Sequence, residues 1–465
     1  MGSSMREEED FLGKKSLPGS AYYGIQTQRA VENFPVTGRG ESKEFIMAYV
    51  MLKIAAAEAN MELDNLDLEK GSAIIKAALE ILGGKLLDEF KVDLFQAGAG
   101  TSFNMNVNEV IANRALEILG RSKGEYNYLN PNDHVNRSQS SNDTFPTASH
   151  VAIVMEADKL LETLSKLSSS MYDQGNTMVS VPKSGRTHLM DAMPITLGDE
   201  FIAYSEAIKR AANRIKESRN HLLEIPLGGT ATGNGVNTPP LYRETVIKKL
   251  SKLTSLSFEP AKNGMEALQS RSIMVAFSNS LAELAVELSR IANDLRIMGS
   301  GPTSGLNEIV LPPVQPGSSI MPGKVNPVMA ECMNMICFQI MGNNSTVSLA
   351  GQAGQFELNV MTPVMILNIL EALAMLNNYL PVFQEKCIEG IRANKKSIED
   401  ETGKNPSIAT LLSPKLGYSE AAKLSKEALE TDQSIRDLVV MKGLMTSEEA
   451  DKFFDLDEIS KNPYK

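Results

Sequence analysis

The chain has 465 residues, 42% of them hydrophobic and 22% charged, and 46 Lys and Arg against 57 Asp and Glu give a net charge of −11. That length exceeds one ordinary domain of roughly 100–200 residues and predicts two to four structural units. The acidic balance, without any basic run, excludes a nucleic-acid or membrane surface as a partner, yet a small anion can still bind in a locally positive pocket.

Trp is absent and aromatics make up 6%, a mixture that favours helices over sheets, so the fold class is mainly α. The opening Met1-Gly2-Ser3-Ser4-Met5-Arg6-Glu7-Glu8-Glu9-Asp10 has no apolar segment of signal-peptide type, and its first four residues resemble a cloning remnant. Short helical stretches broken by turn signals run to about residue 145. Within them Gly98-Ala99-Gly100-Thr101-Ser102 precedes a helix that Thr101 or Ser102 is expected to cap. Small residues ahead of a helix N-terminus also suit a carboxylate. A second polar island, Asn136-Arg137-Ser138-Gln139-Ser140-Ser141-Asn142-Asp143, offers uncharged hydrogen-bonding groups ahead of Pro146.

Ile153, Ala157, Leu160, Leu164, Leu167 and Met171 then recur at helical spacing. A third island, Gly185-Arg186-Thr187-His188, carries one of four histidines, the side chain suited to titrate near neutrality. Helices are expected over 197–225, 265–298, 328–361 and 364–380, bounded by Pro194, Pro226, Gly299, Pro327, Pro363 and Pro381. In the second of these Met274, Phe277, Leu281, Leu284, Leu288, Ile291, Leu295 and Met298 form an uninterrupted seam. The segment 332–356 is uncharged but holds Asn334, Gln339 and Asn343 and is not a membrane span. These elements predict an N-terminal domain over 1–145, a long-helix bundle over 146–395 and a small helical domain over 396–465. The spare apolar faces call for other copies of the chain, and hence a homo-oligomer.

The fourth island, Gly317-Ser318-Ser319-Ile320-Met321-Pro322-Gly323-Lys324-Val325-Asn326-Pro327, gathers backbone N–H groups, hydroxyls and a cation in one loop, as stabilising an oxyanion requires. It resembles the signature of the fumarase/aspartase superfamily. Gly100-Thr101 with Asn104-Met105-Asn106, Ser138 through Asp143, Gly185-Arg186-Thr187-His188 and Gly228-Gly229-Thr230 are similar to further blocks of that family.

The resemblance implies a three-domain fold, a homotetramer with active sites shared among three chains, and elimination of a group β to a carboxylate to release fumarate. It implies Ser318 as base and Lys324 and Asn326 as carboxylate ligands. Thr101, Ser140, Ser141 and Ser319 would be further donors, Asn142, Thr187 and His188 would surround the leaving group, and Glu331 would orient His188. Arg29 would meet a β-carboxylate. Tyr22-Tyr23-Gly24, Ala99, Ser102 and the histidine-free opening of Asn130-Pro131-Asn132-Asp133 resemble members that release ammonia from aspartate. Ser141 resembles those that release water from malate, the alternative.

No cofactor is implied. Cys332 and Cys337 diverge by about 140° on a helix and do not chelate one cluster, and the histidines lack metal spacing. Three cysteines fit a reducing, cytoplasmic setting. A purely structural role leaves the grouping of Ser318, Lys324 and Asn326 unexplained.

Overall fold

Helices begin where the sequence supplies a cap and an apolar stripe. The computed structural model describes residues 5–461, so the first four residues lie outside it. The chain divides into two compact units. One comprises Met1–Leu161, Asn213–Glu283 and Gln339–Asn377; the other comprises Glu162–Ala212, Leu284–Phe338 and Asn378–Lys465.

In the first unit an antiparallel hairpin, β1 (Met5–Asp10) and β2 (Gly13–Pro18), leads into α1 (Ile25–Asn33), α2 (Lys43–Glu62), α3 (Leu68–Leu82) and α4 (Thr101–Ile118). Ser42 and Asp67 cap α2 and α3 by accepting the N–H groups of Phe45 and Lys70. The expected hydroxyl cap of α4 is absent. Gly100, at φ 69°, is its N-cap, and the Gln96 side-chain oxygen accepts the Phe103 N–H at 2.9 Å. Phe45, Tyr49, Phe103 and Phe145 pack as one aromatic cluster, with ring centroids 5.0–6.1 Å apart. A Cβ on Gly100 would lie 1.8 Å from the Phe145 ring, so only glycine fits there.

Five long helices contribute to both units: α5 (Ser141–Asn176), α6 (Leu197–His221), then, after α7 (Tyr242–Thr254) and α8 (Gly264–Gln269), α9 (Ser272–Met298), α10 (Val328–Gln352) and α11 (Thr362–Phe383). Every residue of the two apolar stripes, 153–171 and 274–298, is buried. The same neighbours bond within each unit. In the first, Arg219 of α6 binds Asp158 of α5, Ser218 of α6 meets Ser280 of α9, and Asn343 of α10 donates to the Asn368 carbonyl of α11. In the second, Ser205 of α6 donates to the Ser168 carbonyl of α5, Tyr204 of α6 to Asp294 of α9, and Asn334 of α10 to Ser289 of α9. The molecule is thus mainly α, with a long-helix bundle. By length and composition 362–388 could cross a membrane, yet Met365, Ile366, Ile369, Leu373 and Leu376 are buried within the protein.

Helix ends depart from the sequence reading where side chains meet the backbone. The helix expected over 265–298 breaks at Ser270, because buried Arg271 folds back to donate to the Ala267 and Leu268 carbonyls. The one expected over 197–225 stops at His221, and Glu224–Ile225 pairs with Glu259–Pro260. The one expected to reach 361 stops at Gln352, where the Asn359 amide donates to the Ala350 and Gly351 carbonyls. α5 starts at Ser141, ahead of Pro146, and α11 runs through Pro381.

The second unit adds the hairpin β3 (Pro182–Thr187) and β4 (Met190–Thr196). Its last stretch is short-helical around a separate apolar cluster that includes Leu412, Leu424, Leu438, Val439 and Phe454.

Candidate active site

In the first unit the first two islands converge. Thr101, at the start of α4, and Ser141, at the start of α5, bring their hydroxyl oxygens to 2.9 Å. They line a cleft of about 440 Å³ with Gln26, Asn104, Ser140 and Thr230. Asn142 donates its amide to the Ala231 carbonyl at 2.8 Å, which ties the island to the Gly228-Gly229-Thr230 loop. Thr230 Oγ1 is buried and has no hydrogen-bond partner. A buried hydroxyl with free valences facing a cleft is a group available to a ligand.

Two buried ions pin this cleft from behind. Asp143 accepts the N–H of Ser140 at 3.0 Å through one oxygen and those of Gly228 and Thr230 at 3.0 and 2.9 Å through the other. Burial pushes its carboxyl up to about 6, against those bonds. Lys53, fully buried on α2, donates to Asn104 Oδ1 at 2.9 Å, Asn136 Oδ1 at 3.0 Å and Gln139 Oε1 at 2.8 Å. Burial pulls its amine down to about 7, while the Asp143 charge acts the other way. The sequence reading gives no role to Lys53 or Gln26 and names Thr230 only within the Gly228-Gly229-Thr230 block. For Lys53 a signal existed: it is the sole charge between Glu44 and Glu58, in an otherwise apolar helix.

Buried Glu109 fastens the start of α1, accepting the N–H groups of Gly24, Gln26 and Thr27 at 2.8, 2.9 and 3.1 Å. Burial raises its carboxyl to about 7. Arg29 is engaged away from the cleft. It holds Asp10 through two bonds of 2.8 and 2.9 Å and also donates to the Gly13 carbonyl.

The second unit carries the other two islands. His188 and Leu189, both at φ near +60°, form the tip of the β3–β4 hairpin, and Thr187 and His188 are exposed there. The hairpin base is held by a buried ion cluster. Glu308 receives Lys183 at 3.0 Å and Arg186 at 2.7 and 3.0 Å, and Lys183 also reaches Glu200 at 2.8 Å. Among the described residues neither His188 nor Glu331 has a side-chain partner within the chain, so the His188–Glu331 pair is not formed inside one copy.

The loop ahead of α10 is closed at its neck. Gly317 N–H donates to the Lys324 carbonyl at 2.7 Å, and Asn326 Nδ2 donates to the Gly317 carbonyl at 2.8 Å. Above that neck Ser318 Oγ accepts two backbone N–H groups, from Ile320 at 3.2 Å and Met321 at 3.0 Å. Donors aimed at a hydroxyl oxygen stabilise its alkoxide. Ser319 and Lys324 are exposed. Lys324 and Arg296 are the two cations bordering a cavity of about 910 Å³ that has no acidic residue in its lining.

Comparison with known proteins gives a consistent result. A family described as Lyase matches residues 13–342, and one described as Fumarase C C-terminus matches 408–460. The aspartate ammonia-lyase of Bacillus subtilis (strain 168) is 49% identical over 460 residues, 99% of this chain and 95% of that protein. An aspartate ammonia-lyase of Bacillus sp is 47% identical over 465 residues, 100% of this chain and 98% of that one. The crystal structure of fumarate lyase:delta crystallin from Brucella melitensis bound to cobalt superposes with a TM-score of 0.96 at 42% identity, covering 99% of this chain and 100% of that one.

Proposed function

The chain belongs to the fumarase/aspartase superfamily of lyases, and from that premise we propose how its residues carry out the reaction. It is a carbon–nitrogen lyase that eliminates ammonia from L-aspartate, reversibly, to give fumarate. The Cβ proton beside a carboxylate is weakly acidic, and its removal leaves a second negative charge on that carboxylate. The protein must supply a base and a receptor for the charge.

Ser318 is the base. The observation that carries this assignment is its oxygen, which accepts two backbone N–H groups in the loop and is thereby biased toward the alkoxide. The alkoxide takes the Cβ proton, and the electron pair is held as the aci-carboxylate. That pair then forms the Cα–Cβ double bond as the Cα–N pair leaves with ammonia. Lys324 supplies the cation for the charged carboxylate. Thr101, Ser140 and Ser141 grip through hydroxyls already gathered in one cleft. Asn142, Thr187 and His188 attend the leaving group, with Glu331 orienting His188 from another copy. Asn326, whose amide also closes the loop neck, and Ser319 are further donors to the carboxylate. Arg29 serves a carboxylate only if its pair with Asp10 opens.

Assembly into a homotetramer with shared sites is part of the same reading. Met335, Phe338 and Leu349 of α10 are 62, 60 and 63% exposed in one chain, an apolar face that association would cover.

The test is direct. Fumarate, followed by its ultraviolet absorbance, should accumulate when the protein meets L-aspartate and not when it meets L-malate. A response to malate alone assigns water as the leaving group.

A further inference from the structure

Substrate carboxylates enter the first unit's cleft through hydroxyls and amides, none of which carries charge, yet the bound dianion needs positive potential. A positive charge stands buried in its wall. Lys53 lies behind Asn104, Asn136 and Gln139, and its ammonium hydrogens reach one amide oxygen on each. Three acceptors around one nitrogen require three donated hydrogens, which only the ammonium form supplies.

The orientation of those amides follows. With its oxygen turned to Lys53, Asn136 sends its Nδ2 to the Gln139 carbonyl at 3.3 Å, and Gln139 sends its Nε2 to the Val135 and Arg137 carbonyls at 3.1 and 3.0 Å. The turn that presents Ser140 and Ser141 is therefore folded around the lysine. Among the described residues no carboxylate touches the ammonium. Asp143, the charged group that acts on it, spends both oxygens on backbone N–H groups. Tyr49 on α2, its ring centroid 5.6 Å from the ammonium, is kept protonated by burial.

We propose that Lys53 is the positioning residue of the carboxylate cleft, its ammonium both locking the 136–141 turn and giving the bound dicarboxylate the positive charge that the lining lacks. The proposal rests on the functional reading above. The lysine never touches the substrate, so it acts through the amides and through its field. Because charge on Lys53 and charge in the cleft favour each other, binding a dianion must draw a proton onto the amine wherever the free protein has released it.

The experiment uses the full chain and succinate, a dicarboxylate with no leaving group. Lys53→Met, close in length but uncharged, should weaken succinate binding by calorimetry and raise KM for aspartate, each by roughly tenfold or more, with a smaller fall in kcat. Lys53→Met with unchanged succinate affinity and KM overturns the proposal, as does an equal loss in kcat with KM intact. Should that variant fail to fold, the wild-type protein decides. A neutron structure of the succinate complex should show three deuterons on Lys53 Nζ, aimed at the amide oxygens of Asn104, Asn136 and Gln139, and a neutral amine there overturns the proposal. Failure of the functional reading is distinguishable, since wild-type protein would then bind succinate but not convert aspartate.

Discussion

The cleft of the first unit and the loop of the second are built in opposite ways. Thr101, Ser140 and Ser141 stand on helix starts that are pinned by Asp143 and Lys53, both buried. Ser318 stands on a loop whose crest faces solvent, with Ile320 83% exposed, and among the described residues its oxygen is held only by N–H groups of that same loop. On the proposed reading the groups that bind are preorganised, and the loop that bears the base is exposed at its crest. Preorganised donors stabilise charge without reorganising at the moment of reaction, whereas a base that abstracts and returns a proton gains from closing over the substrate.

The sharpest way to break this contrast is Ser318→Ala. Turnover should fall by about 10³-fold or more, as for loss of a general base, while thermal melting stays unchanged because the hydroxyl supports nothing beyond its loop. Wild-type activity would remove the base. Lys324→Ala should lower kcat/KM by about 10²-fold through both a higher KM and a lower kcat, since the carboxylate is gripped in ground and transition states alike. An unchanged kcat/KM would place Lys324 outside the site.

Asp143→Asn acts on the rigid half. It replaces an acceptor of backbone N–H groups by an amide, should cost about 1.5–3 kcal/mol of stability, and should raise KM as the Ser140 and Thr230 loops loosen. Equal melting of variant and wild type would contradict the pin. The gentlest test is the pH slope. Glu109 titrates at about 7 in the folded chain, above its ordinary 4.5. The folded state therefore holds the extra proton between those values, and its contribution is complete below 4.5 and lost as pH rises through 7. Glu109→Gln should gain on wild type across that window by at most about 1.4 kcal/mol per pH unit. Parallel melting curves against pH would refute the shift.

Much of this was legible beforehand, for physical reasons. Apolar stripes at three- and four-residue spacing announced α5 and α9 because burial alone dictates them. The islands stood out because polar residues crowd where no stripe needs them, and the loop bearing Ser318, Lys324 and Asn326 was among them. The break at Ser270 was not legible, since it depends on Arg271 finding carbonyls of the turn before it. Pro146 and Pro381 read as boundaries but sit inside helices, where the neighbouring turns tolerate one missing N–H. Lys53 is marked in the sequence only as the sole charge between Glu44 and Glu58, and its role stays hidden there because only the fold shows three amide oxygens closing around it.

The knot between Gly317, Lys324 and Asn326 sets how the proton acceptor travels. Ser318 is the residue next to that knot, and consecutive Cα atoms are separated by about 3.8 Å, so its Cα keeps that distance from Gly317 while its side chain can still turn. A larger displacement of Ser318 would carry the knot with it, the Lys324 backbone included. With Ser318 as the proposed base and Lys324 as the proposed counter-ion, such a displacement brings both groups to the substrate together.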